Sequence, residues 1–353
     1  MGQTDDYKNY KALSQSSLKQ LEYDTKSFYT YEERWLRGEL SYKPEFRTTE
    51  SMKLGEVVDC LLTTPNLFES SFTIITKAPT GQMLEFADEY IRLEKEATSN
   101  YTIEVPKETI QQLADSAYNY VGFKRDSLPK VLDRFTKEAL IYYNTHRNAG
   151  NKTVLTSEMY AHAQVLVNCV KGDIHAGKYF KELPPIYEVF EQYAVYDEYF
   201  DSESDGELSV KLKGLLDRVI VNHQDKTVQG IDLKTTSEDF FPNAIVNYRY
   251  DLQGAFYNYL LSRVEAFNGY TILPFLFIAV NTKTAKVGVW KLSDSDVQVG
   301  MYGGKSYTGR YVKGFKQLLD DYFWHNINDY WECSRELHDN GGKRVTNCFI
   351  PNE

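Results

Sequence analysis

The sequence predicts an α/β fold in which a central mixed β-sheet is flanked by helices, with N-terminal helices and a helical insertion. Three observations predict it. Helical patterns open the chain, a meander of strand-like runs follows, and then come a helix, further strands and a last helical stretch, the order of a mixed sheet faced by helices. The strand-like runs are apolar and bounded by polar turns. With 353 residues, 42% hydrophobic and 25% charged, the chain has the composition of a globular protein and can bury a sizeable core. It reads as a single domain, 1–353, with an insertion or arm at 76–150, a core at 151–300 and a helical segment at 301–353.

Residues 13–37 open with LSQSSLKQLE, where Ser14 caps a helix whose N3 residue is Ser17 and whose apolar stripe begins at Leu18 and Leu21. A second helix is expected over 51–62, with Leu54, Val57, Val58, Leu61 and Leu62 at helical spacing and Pro65 at its end. Asp59 falls within that stretch, either as an exposed helix residue or as an acid with a task. Residues 71–77 read as a short strand. The 76–150 stretch is charged, aromatic and helical in tone, is broken near Pro106 and Pro129, and holds no chemical motif. A patterned helix over 156–170 takes Ser157 as its cap. The first strong strand is IYEVFEQYAVYD, 186–197, on which Glu188 and Glu191 fall on opposite faces because their separation is odd.

Residues 209–234, SVKLKGLLDRVIVNHQDKTVQGIDLK, then form the hairpin around which the chain is organised. Two apolar runs flank the polar turn NHQDK, and each carries one acid, Asp217 and Asp232. Alternation along a strand puts Asp232 and Lys234 on the same face. A helix over 248–267 follows, with Gln253 and Tyr257 at i and i+4. Further strands are expected at 271–281 and 286–292, then an amphipathic helix or pair over 309–337 and a frayed tail.

Composition narrows the function classes. Many of the 28 tyrosines are expected to be half-buried rings with bonded or wet hydroxyls. A net charge of −10 does not advertise a nucleic-acid binder. Two basic clusters stand out against it, Lys124, Arg125, Lys130, Arg134 and Lys137, and later Lys305, Arg310, Lys313 and Lys316. They read as solvated helix faces or as parts of a positive channel. Cys60, Cys169, Cys333 and Cys348 show no C-x-x-C spacing and read as reduced thiols in a reducing cytoplasm. The polar N-terminus argues against a signal peptide, and no apolar run approaches the roughly 20 residues of a membrane span.

A charge within a strand that reads as buried is costly unless it is paired or metal-bound. Asp217 and Asp232 on neighbouring strands are suited to a hard cation such as Mg²⁺, which takes oxygen ligands and retains waters. The Leu233 carbonyl is a further oxygen, and Glu191 on the preceding strand a further acid. Lys234 would orient a water or offset developing negative charge. Against this stand plain alternatives: an ion pair of Asp217 with Arg218 or a nearby lysine, and a surface bridge between Asp232 and Lys234. The chemistry such a set supports is phosphodiester hydrolysis. GGKS at 303–306 is a weak match to a phosphate-binding loop, with Val299 in place of its first glycine.

G-x-x-D, about fifteen residues and then I-D-L-K-T resembles the PD-(D/E)XK nuclease motif, and Gln253-x-x-x-Tyr257 resembles the motif that follows it in the RecB-like branch. More narrowly, LSQSSLK (13–19), LGEVVDCLLTTPNLF (54–68) and TVLTSEMYAHAQ (153–164) resemble blocks of the RecE-like exonucleases of phages and prophages, in the same order. The resemblance implies a Mg²⁺-dependent exonuclease on double-stranded DNA, with Mn²⁺ as a substitute, working in a bacterial host's cytoplasm. A single-strand annealing protein and a homo-oligomer are its implied partners. It makes Asp217, Asp232 and Glu191 metal ligands, with Glu188 the rival upstream acid, Lys234 catalytic, and Gln253 and Tyr257 contacts to DNA or supports of the site. Asp59 stands where the family has a histidine, which raises it as a ligand. An endonuclease, a single-strand-specific nuclease or a silent binding module on the same core are the alternative readings.

Overall fold

A computed structural model describes residues 3–41, 49–76, 78–99, 107–201, 204 and 206–343. Pro106, Cys348 and the expected frayed tail lie outside the described residues. The chain divides into two compact units, one of residues 49–167 and one of residues 1–48 with 168–353.

The larger unit opens with α1 (Gln3–Asn9) and α2 (Gln15–Tyr23). Ser14 caps α2: its Oγ accepts the Ser17 N–H at 3.3 Å, while the Ser14 N–H donates to Ser17 Oγ at 3.2 Å. That reciprocal pair satisfies two donors that a helix start leaves orphaned. Helical turns over Thr25–Phe28, Tyr29–Glu33 and Arg34–Leu36 follow.

The smaller unit holds α3 (Glu50–Thr63), β1 (Phe72–Ile75), α4 (Gln82–Ser99), α5 (Lys107–Val121), α6 (Leu128–Arg134), α7 (Leu140–Asn148), β2 (Thr153–Thr156) and the start of α8 (Ser157–Gly172). Strands β1 and β2 pair in parallel. Met83, Phe86 and Ala87 of α4 pack with Ala117 and Val131 in a separate core. Thr156, not Ser157, caps α8, its Oγ1 accepting the Met159 N–H at 3.1 Å. As the last residue of β2, Thr156 already has the extended backbone that a cap requires. The Ser157 hydroxyl donates instead to the Ile75 carbonyl.

The rest of the larger unit is built on a six-stranded mixed sheet. Its strands are β3 (Tyr187–Phe200), β4 (Ser209–Asn222), β5 (Thr227–Thr236), β6 (Thr271–Ile272), β7 (Leu276–Asn281) and β8 (Val287–Lys291). The order is β3-β4-β5-β7-β8, with β6 beside the start of β5. Strand β5 runs parallel to β6 and β7, and the other pairs are antiparallel. The expected strand over 271–281 is split at Leu273–Phe275, around Pro274, which offers no N–H to a ladder.

Between β5 and β6 run α9 (Phe241–Asn247) and α10 (Tyr250–Arg263), and α10 lies across the sheet. Two strand glycines let it approach. A Cβ on Gly214 would lie 2.7 Å from Leu260 and 3.2 Å from the Tyr257 ring, and one on Gly230 would lie 3.2 Å from Leu261. Leu212, Leu216, Val219 and Val228 of the sheet meet Leu252, Phe256 and Leu260 of the helix in the main core. After β8 come α11 (Asp294–Tyr302), a hairpin of β9 (Gly304–Lys305) and β10 (Tyr311–Val312), α12 (Phe315–Asn328) and α13 (Arg335–Asp339). The expected helix over 309–337 therefore starts late. Its first residues close a hairpin turn in which Gly309 takes φ +80°, a conformation that favours glycine.

Candidate functional site

The β4–β5 ladder ends at the pair Arg218–Ile231. One step beyond it, where the two strands part, stand Asp217 and Asp232. Strand β5 goes on to pair with β7 as far as Thr236. The open edge of β4 is taken by Leu13, which exchanges 2.8 Å hydrogen bonds with Lys211 and Lys213. On the other side, the β3–β4 ladder skips the rung opposite Asp217, where Gln192 has φ +49°. Asp217 thus sits at an interrupted step on both edges of its strand.

Its carboxylate replaces the missing ladder bond: Oδ2 accepts the Leu233 N–H at 2.7 Å. A strand residue presents its N–H and C=O to the same neighbour, so the Leu233 carbonyl faces the same fork. Asp232 is 3% exposed, and its Oδ1 accepts a 2.7 Å hydrogen bond from Gln253 Nε2 on α10. Its Oδ2 is taken by the Lys234 ammonium, with which it is in ion-pair contact. The fork therefore gathers two carboxylates and a carbonyl. Three hard oxygens from diverging strands suit a small divalent cation that keeps part of its water shell.

Burial pushes the Asp232 carboxyl up, against the pull of Lys234 and Gln253. Burial alone would lower Lys234, but Asp232, Tyr250 and Asp217 hold its ammonium above its usual range. The lysine therefore stays charged, and its Nζ lies 4.8 Å from the centre of the Tyr250 ring. Tyr257 is buried against Gly214, with burial, Tyr7, Asp232 and Asp217 all raising its hydroxyl. Gln253 thus holds an acid directly, whereas Tyr257 fills the space beneath the strand.

Two basic residues near the site were not singled out from the sequence. Arg249, 1% exposed, takes φ +57° at the start of α10 and bonds Glu22 of α2, Asp251 and the Lys313 carbonyl. It ties three chain segments together at the start of α10. Lys19 of α2 donates to the Tyr248 carbonyl at 3.1 Å. Burial, Lys234 and Arg249 lower its ammonium. The visible signal for both was their place: Lys19 within LSQSSLK, and Arg249 just before the Gln253 helix.

Other expected residues lie elsewhere. Glu191 is in register with Arg218 and in contact with its guanidinium. Arg218 in turn faces Ile231, so this pair lies on the sheet face opposite Asp232. Glu188 meets His223 at 3.2 Å. Asp59 belongs to the smaller unit, half-buried on α3, where its Oδ1 accepts the Thr63 hydroxyl at 3.3 Å. Among the described residues, no three His, Cys, Asp or Glu side chains gather as a metal cluster. Residues 303–306 lead into the β9–β10 hairpin and do not form a strand-to-helix phosphate loop. No helix among the described residues is long and apolar enough to cross a membrane.

No protein-family model matches the chain, and no curated protein matches it in sequence. Among solved structures it is similar to the crystal structure of a "putative exonuclease" from Eubacterium rectale, at 13% identity and a TM-score of 0.46, over 99% of this chain and 96% of that one. It is also similar to the crystal structure of SSO0001, at 11% identity and a TM-score of 0.23, over 53% of this chain and 81% of that one. At this level of likeness, any functional reading rests on the site itself.

Proposed function

We propose that the chain is a metal-dependent deoxyribonuclease that hydrolyses phosphodiester bonds of double-stranded DNA from an end. One observation carries this reading: Asp217 and Asp232 flank the open fork between β4 and β5, with the Lys234 ammonium against Asp232. The Asp217 carboxylate, Asp232 Oδ2 and the Leu233 carbonyl would hold Mg²⁺, or Mn²⁺ in its place. Such an ion supplies Lewis acidity and a water of lowered pKa. Lys234, kept charged by its neighbours, faces the charge that develops on the phosphoryl oxygens. Gln253 fixes the Asp232 carboxylate by occupying its other oxygen, an orienting role of the kind outer-shell groups play around metals.

Exonuclease action, an annealing partner, a homo-oligomer and a bacterial cytoplasm enter through the RecE-like resemblance. So does Asp59 as a ligand. Digestion of linear duplex DNA with Mg²⁺ or Mn²⁺ tests the reading, with Asp232→Ala beside the wild type. Metal-dependent products from wild type alone are expected. No product, or equal cutting by the variant, defeats it. Rapid cutting of a closed circle would replace the exonuclease by an endonuclease on the same residues.

A further inference from the structure

The side chains of the basic cluster Lys305, Arg310, Lys313 and Lys316 take no part in the site above, and that of Lys313 is paired with Asp321 at 2.6 Å. From Gly303 to Lys316 the sequence contains no acid, in a chain whose net charge is −10. The cluster is not one helix face. Lys305 and Arg310 belong to the β9–β10 hairpin and its turn, and only Lys316 lies on α12. Two hairpin tyrosines stand out into solvent, Tyr307 at 57% and Tyr311 at 67% exposure.

The hairpin is anchored to α9 and lies near α2. The Tyr307 hydroxyl bonds Asn243 Oδ1 on α9, and Arg310 acts electrostatically on the exposed Tyr23 of α2. At the end of α9 the Tyr248 ring, 49% exposed, lies 5.7 Å from that of Tyr250, over which Lys234 sits. Lys19 Nζ lies 5.8 Å from the centre of the Tyr248 ring. Exposed rings interleaved with cations therefore lead from the hairpin to the acid pair.

We propose that this surface binds single-stranded nucleic acid, with Tyr307 and Tyr248 stacking on unpaired bases and Arg310 and Lys19 taking phosphates. Protruding rings stack most readily on unpaired bases, whose faces are open without unstacking a duplex, and a ring platform beside cations is how sequence-tolerant single-strand grooves are built. The local positive charge complements the strand where the rest of the chain repels it. The inference deepens the nuclease reading and rests on it for its purpose: the strand held here is the one led to, or away from, the fork.

The test is binding of a labelled oligothymidylate, read by fluorescence anisotropy in EDTA so that nothing is cut. Tyr307→Ala and Tyr248→Ala are each expected to weaken binding on the order of 5- to 100-fold, and to weaken a blunt duplex much less. Tyr307→Phe keeps the ring but loses the hydroxyl that bonds Asn243, and it should bind as wild type, which shows that the alanine variant lost the ring and not the anchor. Arg310→Gln should lower the slope of log affinity against log salt by about 0.7, with the tyrosine variants leaving that slope unchanged. The proposal falls if the alanine variants bind like wild type, if they lose oligonucleotide and duplex alike, or if Tyr307→Phe loses as much as Tyr307→Ala. Binding is read without hydrolysis, so the two readings fail separately. A wild type that binds as described yet cuts nothing with Mg²⁺ sinks the nuclease and leaves this surface standing.

Discussion

Two ion pairs with little solvent exposure stand on adjacent rows of one sheet and face opposite ways. Glu191–Arg218 bridges β3 and β4, while Asp232–Lys234 runs along β5. Glu191 keeps its Oε2 buried with no hydrogen bond, whereas Asp232 engages both oxygens, Oδ1 with Gln253 and Oδ2 with Lys234. An unspent oxygen alone therefore does not mark a site. What differs is the backbone beneath. Glu191 and Arg218 occupy a paired rung, and the Arg218 guanidinium lies 5.4 Å from the centre of the Phe180 ring. Burial pulls that guanidinium down from its usual range, and Glu191 supplies the opposing charge. Asp232 stands just past the last β4–β5 rung, where a second acid and a carbonyl share the gap. The first pair reads as a tie between strands and the second as a place for something else to bind.

The largest expected effect separates the two. Asp232→Asn should lower hydrolysis by about 10³-fold or more, since it removes an anionic oxygen from a charge-stabilising site. Glu191→Gln should leave turnover per folded molecule close to wild type and cost about 3 kcal/mol of stability, because a buried guanidinium loses its counter-charge. Chemical denaturation alongside a nuclease assay reads both. A Glu191→Gln protein of unchanged stability and no activity would instead return Glu191 to the acids of the reaction.

A smaller effect is expected at Gln253. Gln253→Leu leaves Asp232 Oδ1 without its 2.7 Å donor and should lower kcat or metal affinity about 10- to 100-fold, the range for groups that orient a ligand from behind. A metal titration of activity measures it. An unchanged titration would mean that Asp232 is positioned by Lys234 alone, which would bring it closer in kind to the Glu191 pair.

The acids of the fork were legible because alternation and apolar context single out Asp217, Asp232 and Lys234 from short-range pattern alone. The fork itself was not. It depends on Leu13 joining β4 beside Leu212 some two hundred residues away, and on the skipped rung at Gln192. Glu191 shows the same limit: its separation from Glu188 predicts opposite faces, but only the cross-strand register reveals Arg218 as its neighbour. Strands as short as Gly304–Lys305 and Tyr311–Val312 have no period to read, so a hairpin was not among the readings of the second basic cluster, a solvated helix face or part of a positive channel. Arg249 has a similar history, since its left-handed backbone and full burial follow from contacts to Glu22 and Lys313 far apart in the chain.

A third route is open to a group taken out of water: it can give up its charge. His146 in the smaller unit takes it. Its Nε2 is buried without a hydrogen bond, its ring lies 4.4 Å from that of Tyr142, and burial, then Lys53 and Lys95, push its pKa down to about 4. Both lysines would repel an imidazolium, so the neutral ring is the folded form. The unfolded chain protonates this histidine near 6.5, so between those values it binds more protons than the folded one. His146 therefore opposes folding increasingly as pH falls through that window, and stability rises with pH across it. His146→Phe should remove that contribution, so that wild type and variant unfold with a gap that changes between pH 4 and 6.5 and is constant above it. Thermal unfolding of both proteins across that range measures the gap. A gap that does not change with pH would mean that His146 takes up its proton equally readily in the folded and unfolded chain, so that its burial is offset within the smaller unit.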